Sequence, residues 1–399
     1  MQTYLLEWLN LAGRWIHLIT GIAWIGSSFY FVWLDNHLLR PLRSEETARG
    51  VGGELWSVHG GGFYHSQKYP VAPAELPGSL HWFYWEAYST FLSGVFLLVL
   101  MYFVQADVYL IDPAVAALSK GTAVAIACAF LVGGWVVYDL LCRTRLAAHG
   151  LLLGAVLAVL LSAAAWGLCT LFSGRAAFLL FGAMLGSLMV ANVFFVIIPG
   201  QRKVVAALRA GLEPDPLAGQ RGKLRSVHNT FFTLPVLFAM LSNHYAFVFA
   251  ARHNYLVLIA LCAAGALIRL WFVLRHKAHE HAGRTPWWPA LVGVALLVLT
   301  GVLLAPTASS GTAADTSFER VQQIVAARCA GCHADKPTFA AFVEAPKGVK
   351  LETEEQLIAQ LPQLALQVRT RAMPIGNLTG MTEDERAEVL AWVDHGAPR

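Results

Sequence analysis

Eight apolar stretches, each long enough to cross a lipid bilayer, limit what this chain can fold into. Inside lipid, backbone N–H and C=O groups must bond within the protein, and apolar runs of about 20 residues achieve this as helices. The stretches cover residues 5–34, 82–104, 122–141, 151–172, 176–198, 229–250, 255–274 and 287–305. They predict an all-α membrane protein built on an eight-span transmembrane helical bundle.

Composition agrees with a membrane setting and argues against a nucleic-acid partner. The chain is 57% hydrophobic and only 14% charged, whereas a soluble domain carries about 25% charged residues. The net charge of +4 is too small and too scattered to suggest binding of nucleic acid. We therefore expect membrane lipid around most of the chain and a smaller soluble part.

Basic residues are distributed unevenly between the predicted loops. The odd-numbered loops together hold fifteen Lys and Arg residues, and the even-numbered loops hold three, namely Lys120, Arg175 and Arg252. Cytoplasmic loops carry the excess of Lys and Arg. This imbalance predicts cytoplasmic odd-numbered loops, both termini in the periplasm, and a location in the bacterial inner (cytoplasmic) membrane.

The composition changes after the last apolar stretch. Residues 306–316 are small and polar, which is typical of a flexible linker. Residues 317–399 have the composition of a soluble domain, with helical stretches at 318–327, 353–368 and 383–395. We expect an eight-span membrane domain (1–305), a linker (306–316) and a periplasmic domain (317–399).

The last domain contains the segment ARCAGCHADK, residues 327–336, with the spacing C-x-x-C-H. This is the attachment sequence of a c-type haem, in which Cys329 and Cys332 form thioethers and His333 is the proximal iron ligand. The segment therefore predicts one covalent haem c on the periplasmic side of the membrane.

A downstream methionine should supply the second iron ligand. Met373, in the segment RAMPIGN, precedes a proline that would fix a loop, whereas Met381 lies where the last helix begins and would point away. We favour Met373, with a core-filling role as its alternative. The domain resembles a small class I cytochrome c, which implies an electron relay with His333 and Met373 on the iron.

Polar residues recur along one face of the first span. Arg14, His17, Gly21, Trp24 and Ser28 follow at spacings of three and four, which puts them on the same helix face. Such residues mark function by default because they are costly inside a membrane. Three interpretations stay open, namely a b-type haem, a pocket for an anionic substrate and a structural polar network.

The haem b interpretation assigns particular roles to these residues. His17 would bind the iron, Gly21 would make room for the ring, and Arg14 would pair with a propionate. His244, near the outer end of the sixth span, is a further candidate for a second haem.

Candidate acid and base groups lie on the predicted cytoplasmic side. The segment WSVHGGGFYHSQKYP contains His59 and His65, and HWFYWEAYST contains His81 and Glu86. Histidine changes its charge near neutral pH, and glycine lets a ligand approach the backbone. His228, where the sixth span begins, is the fifth candidate. The alternative for the loop is a solvated surface with interfacial aromatic residues.

Four long segments carry a family resemblance. They are HLITGIAWIGSSFYFVWLDNHL, WSVHGGGFYHSQKY, HWFYWEAYST and HNTFFTLPVLFAMLSNHY. Together with the C-terminal cytochrome, they resemble the membrane-bound bacterial urate hydroxylases of the PuuD type over essentially the whole chain. The resemblance implies oxidation of urate to 5-hydroxyisourate in purine catabolism. Electrons would leave through the haem to a downstream cytochrome or terminal oxidase, without forming peroxide.

The resemblance assigns no catalytic residues, so the chemistry of urate guides the search. Urate is a planar anion that needs a cationic or N–H-rich cradle, stacking aromatic rings, a base and an electron acceptor. Two other interpretations remain. One is a different haem-dependent membrane dehydrogenase, of quinol or porphyrinogen type, and the other is a transporter or sensor with a fused cytochrome.

Overall fold

Helices account for most of the structure. The computed structural model describes residues 2–70, 72–73, 75–280, 284–305, 316–339 and 342–398. In the membrane part, the α-helices are α1 (Gln2–His37), α2 (Ser44–Ala48), α3 (Trp85–Leu97), α4 (Ala106–Tyr109), α5 (Lys120–Arg143), α6 (Gly150–Leu171), α7 (Gly174–Ala191), α8 (Ile198–Arg209), α9 (Pro216–Leu241), α10 (Ala246–Phe249), α11 (Asn254–Glu280) and α12 (Trp288–Leu303). Wider π-helical turns follow α3 (Leu98–Phe103) and α7 (Asn192–Ile197), and short 3-10 turns lie at Arg145–Ala148 and Ser242–His244.

Six helical segments of the described chain are long and apolar enough to cross a membrane. They are Tyr4–His37, Trp85–Phe103, Lys120–Arg143, Gly150–Leu171, Gly174–Arg209 and Asn254–His276. The prediction of a mostly helical protein with membrane-length apolar helices is thereby confirmed, and the count of eight spans stays a prediction. The other two predicted spans correspond to α12, which is apolar but only 16 residues long, and to α9.

Helix α9 differs from the predicted sixth span in its position along the chain. It begins at Pro216 with Asp215 as its N-cap, and its first turns carry basic side chains that lower its mean hydropathy. It ends at Leu241, so the predicted residues 242–250 form a 3-10 turn and the short helix α10. Consequently, several basic residues that the sequence pattern placed in a loop, among them Arg225, are helical.

The bundle is organised around α7. This helix contacts α5, α6 and α9, while α11 packs against α9 and α12, and α1 packs against α3. Side chains of α7 such as Phe178, Leu180 and Leu185 are fully or almost fully buried. By contrast, α1 leaves most of its apolar side chains exposed, as expected for a helix that faces lipid.

A β-hairpin in the loop between α2 and α3 departs from the all-α prediction. Strands β1 (Gly53–His59) and β2 (Gly62–Lys68) pair antiparallel, with Trp56 opposite His65. Gly60 and Gly61 form the two-residue turn with positive φ angles of 58° and 79°. Tight hairpin turns of this kind need residues that tolerate positive φ, so the glycine run builds the turn.

The C-terminal domain has an apolar core of its own. Its helices are α13 (Phe318–Arg328), α14 (Glu354–Ala359), α15 (Leu361–Arg369) and α16 (Glu383–Asp394), with 3-10 turns at Pro346–Gly348 and Ile375–Asn377. They agree with the three predicted helical stretches. Val321, Ile324, Val389 and Trp392 are almost fully buried in this core. Of the predicted linker, only Thr316 belongs to the described residues.

Candidate functional site

The C-x-x-C-H segment forms a single turn directly after α13. The backbone N–H groups of Cys332 and His333 both donate to the carbonyl oxygen of Cys329, at 3.1 and 3.0 Å. Neither cysteine is part of a disulfide bond. Burial raises the pKa of the Cys329 thiol to about 11 and also raises the pKa of Cys332, so both unmodified thiols are protonated at neutral pH.

His333 is held in the tautomer that a metal ligand requires. Its Nδ1 lies 3.0 Å from the carbonyl oxygen of Val349. A carbonyl oxygen only accepts hydrogen bonds, so Nδ1 carries the proton and Nε2 keeps a free lone pair. This arrangement orients metal-bound histidines in general, and His333 therefore fits the proximal position that the sequence predicts.

The two methionines of this domain have different surroundings. Met381 is 3% exposed and lies in the apolar core of the domain. Met373 is half-buried in the loop after α15, where its backbone oxygen accepts a 2.7 Å hydrogen bond from Arg386. Because Met381 is committed to packing, Met373 remains the thioether that fits a second iron ligand. The donor set of this domain suits a haem c.

His17 connects the first two long helices. Its Nδ1 lies 3.1 Å from both the Thr90 carbonyl oxygen and the Ser93 hydroxyl. The imidazole lies against Gly94, where an added Cβ would come within 3.0 Å of the ring. These contacts are of the kind that a structural polar network makes, which is one of the three interpretations of this helix face. They also show that Gly94 makes room for the imidazole.

Of the other two residues proposed for a second haem site, Arg14 lies one turn before His17 on α1, and His244 lies after α9. Arg14 donates to Asn10 at 2.7 Å and contacts the Met101 sulfur at 3.2 Å. His244 is exposed in a 3-10 turn at the end of α9. No hydrogen bond or ring contact among the described residues joins His244 to His17. The second haem therefore stays a prediction.

The cytoplasmic candidates occupy separate places. His65 contacts the buried Glu54 carboxylate at 2.7 Å and stacks on Trp56 with ring centroids 4.2 Å apart. The hydrogen bond from the Leu42 N–H has the largest lowering effect on the pKa of Glu54, and the hydrogen bond with His65 lowers this pKa further. His59 lies next to the hairpin turn. The sequence did not single out Glu54, although a carboxylate in β1 facing a histidine in β2 follows from the strand register.

His81 and Glu86 lie near the start of α3. His81 is exposed and meets Phe83 edge to face at 4.7 Å, and Glu86 is half-buried in the first helical turn. No hydrogen bond or ion pair of the described residues joins either side chain to His59, His65 or His228. The five candidates do not form one cluster.

His228 belongs to a buried polar network between α5, α7 and α9. Its Nδ1 lies 2.9 Å from the Tyr138 hydroxyl. That hydroxyl accepts a hydrogen bond from the Asn192 amide at 3.0 Å, and the same amide donates to Asn229 at 2.9 Å. The network thus joins residues that lie up to 91 positions apart in the chain, from 138 to 229.

An ion pair lies at the centre of this network. Arg225 contacts Asp139 at 2.6 Å, and their side chains are only 4% and 7% exposed. The guanidinium also lies 4.7 Å from the centre of the Tyr138 ring and 3.4 Å from the Asn192 carbonyl oxygen. Arg143, which is largely exposed, adds a second cation to Asp139 at 2.6 Å. Sequence reasoning missed Asp139, although a carboxylate at the end of an apolar run is itself a signal of function.

A cavity of about 470 Å³ adjoins the network. It lies between α5, α6 and α7, and Tyr138 and Phe232 are part of its wall. The remaining wall is apolar and consists of Ile126, Ala129, Phe130, Gly133, Gly134, Val137, Leu141, Leu157, Leu160, Leu161, Ala163, Ala164, Met184 and Leu188. Such a surface suits an apolar group and offers little to a polar anion such as urate.

These features define a helical membrane protein with a charged polar network inside its bundle and a C-terminal domain suited to a haem. The chain belongs to the urate oxidase N-terminal family, whose model matches residues 3–305. Neither the curated proteins nor the solved structures contain a match. Family membership supports a urate-related oxidoreductase function.

Proposed function

We propose that this protein is a membrane-bound urate hydroxylase that passes electrons from urate to its own C-terminal cytochrome. One observation carries the proposal. The family match over residues 3–305 lies in the same chain as a C-x-x-C-H segment whose His333 and Met373 fit haem ligation. An oxidase that reduces oxygen directly has no need of an attached electron carrier.

The reaction balances without oxygen as a reactant. Urate and one water molecule give 5-hydroxyisourate, two protons and two electrons, with a new C–O bond at the ring carbon that becomes hydroxylated. The protein must therefore bind a planar anion, accept protons and conduct two electrons away. Haem c, held by Cys329, Cys332, His333 and Met373, supplies one-electron transfer when bound. Two transfers are needed for each urate.

We place the proton-accepting group at His228. It is the candidate that lies inside the bundle and contacts a network containing a buried Asp–Arg pair. Protons accepted there can move along the Tyr138 hydroxyl, because hydroxyl groups both donate and accept. The Arg225 guanidinium adds the positive field that an anionic substrate requires, although Asp139 already neutralises part of it.

Electrons leave on the side opposite to the cytoplasmic candidates. The distribution of Lys and Arg supports a periplasmic C-terminal domain. The acceptor beyond this domain is a soluble or membrane-bound cytochrome or a terminal oxidase.

The test is anaerobic reduction of the purified protein by urate. We expect the absorption bands of reduced haem c to appear and 5-hydroxyisourate to accumulate. In a separate assay in air, with an oxidised cytochrome as acceptor, no peroxide should form. The variant His228→Gln should slow urate-driven reduction while dithionite still reduces the haem at the wild-type rate. A wild-type protein that carries haem c but stays oxidised with urate would refute the proposal.

One observation favours a second function, that of a quinol dehydrogenase. The apolar cavity beside Tyr138 has the character of a site for the ring and tail of a lipid-soluble quinol. A short-chain quinol offered in detergent distinguishes the two functions. Reduction of the haem by quinol and not by urate would favour the dehydrogenase.

A further inference from the structure

The loop that carries Met373 touches the membrane domain. We call residues 371–377 the Met373 loop, and we call residues 105–112 together with Ala250 the outer platform. Arg371, in this loop, donates a 3.2 Å hydrogen bond to the carbonyl oxygen of Ala250. Arg371 precedes Met373 by two residues, so this contact lies beside the predicted iron ligand.

The second contact is a close approach between the backbone of Gly376 and the backbone of the outer platform. Gly376 has a φ angle of +54°, and a Cβ added there would lie 3.3 Å from the Val108 oxygen and 3.4 Å from the Ile111 oxygen. Larger side chains would have to push the two parts of the protein away from each other. Gly376 follows Met373 by three residues, so the contacts flank Met373 on both sides.

The outer platform is fixed by interactions of its own. The Ser173 hydroxyl donates to the Tyr109 oxygen at 2.9 Å, and the Ser173 N–H donates to the Leu110 oxygen at 3.1 Å. Ala106 and Leu110 are fully buried. The platform is therefore a preformed surface rather than a loose loop. Asp112 and Arg386 add opposite charges that attract each other across the contact.

Side-chain contacts also connect the outer platform with the helix bundle. The Tyr109 ring lies 6.0 Å from the Tyr102 ring, and Tyr102 is next to Met101, whose sulfur contacts Arg14. Packed side chains thus connect the inner face of α1 with the surface on which the Met373 loop rests.

We propose that the outer platform is the docking site of the C-terminal domain and that the Met373 loop is the side on which this domain accepts electrons. The direction of electron flow rests on the proposed function. The docking itself does not, and the experiment separates the two.

A photoreactive benzophenone side chain at position 375 tests the docking in the full-length protein without any substrate. Irradiation should attach Ile375→benzophenylalanine to peptides that contain residues 105–112 or 246–253. The same probe at Val343, an exposed position of the domain, should give no such product. Attachment of the position-375 probe elsewhere, or to nothing in a protein with a normal haem spectrum, would overturn the docking.

Two valine variants test the electron-accepting role. Gly376→Val should lower the ratio of docked to undocked domain roughly 5- to 150-fold. Gly396→Val is the matched control, because it has a comparable φ angle of +86° and open space around it. We expect Gly376→Val to lose the photoproduct of the position-375 probe and to slow urate-driven haem reduction, whereas Gly396→Val should do neither. Dithionite should reduce the haem of both variants normally.

The outcomes separate the two proposals. Loss of the photoproduct in Gly376→Val with an unchanged rate of urate-driven reduction would overturn the electron-accepting role. If urate fails to reduce the wild-type haem while the photoproduct forms, the proposed function is wrong and the docking stands.

Discussion

The buried Asp139–Arg225 pair gives a prediction about stability that the structure makes quantitative. Both side chains are almost fully removed from solvent, and their charged atoms lie 2.6 Å apart. Removing one partner from such a pair costs about 3–5 kcal/mol, because the other charge stays buried. Replacing both partners by apolar residues of similar size is often close to neutral.

The surroundings of the pair indicate which single variant is worse. After Asp139→Leu, Arg225 keeps only weak partners, namely the Tyr138 ring and oxygens more than 3 Å away. After Arg225→Met, Asp139 still has Arg143 at 2.6 Å, and Arg143 is largely exposed. We therefore expect a loss of about 3–5 kcal/mol for Asp139→Leu and about 1 kcal/mol less for Arg225→Met.

The double variant completes a double-mutant cycle, which measures the interaction energy between Asp139 and Arg225. Asp139→Leu combined with Arg225→Met should be close to neutral and so recover most of the summed single losses of about 5–9 kcal/mol. The assay is denaturant unfolding in detergent, followed by circular dichroism. The solvent-exposed pair Arg320–Glu388 is the control, and its removal should change the free energy of unfolding far less. Additive losses, or a loss below about 1 kcal/mol for Asp139→Leu, would refute a desolvated ion pair.

Three further predictions concern the haem domain, the hairpin and the topology. Met373→Ala should lower the haem potential and leave the haem attached, whereas Met381→Ala should leave the potential unchanged but destabilise the domain by about 2–5 kcal/mol. Redox titration and thermal unfolding check both, and the opposite pattern would reverse the ligand assignment. The folded-state pKa of Glu54 is below the ordinary 4.5, so its stabilising contacts are complete above that pH and are lost as the pH falls through the folded pKa. The protection factor of the Leu42 amide, which removes the intrinsic pH dependence of hydrogen exchange, should therefore fall in acid in the wild type and change little with pH in Glu54→Gln, and an acid-insensitive wild-type protection factor would contradict this. Reporter fusions within residues 201–225 should be active only as cytoplasmic reporters, and fusions after the last residue only as periplasmic ones. Activity of the C-terminal fusion in the cytoplasm would invert the orientation.

The sequence by itself determined the features that depend on neighbouring residues. Apolar runs identify helices that suit lipid, because each backbone group must bond within its own segment. The C-x-x-C-H spacing places two thiols and an imidazole on one turn regardless of what surrounds it, and the structure has that turn between Cys329 and His333. The helices of the C-terminal domain were equally predictable from their amphipathic pattern.

Features of the hairpin and of α9 were harder to predict from the sequence. A glycine run between aromatic residues suits either a loop that binds a ligand or a tight turn, and only the strand pairing decided for the turn. In α9, basic residues near the helix start looked like a loop, because a polar helical extension and a polar loop have the same composition.

Only the tertiary structure decided which distant residues meet. Asp139 and Arg225 are 86 positions apart, and no local period links them. Packing of α5 and α9 against α7 brings them together and removes water from both, which turns two ordinary charged residues into a coupled pair. Burial likewise distinguishes Met373 from Met381 as candidate iron ligands, because the two residues have the same type of side chain and differ only in their surroundings.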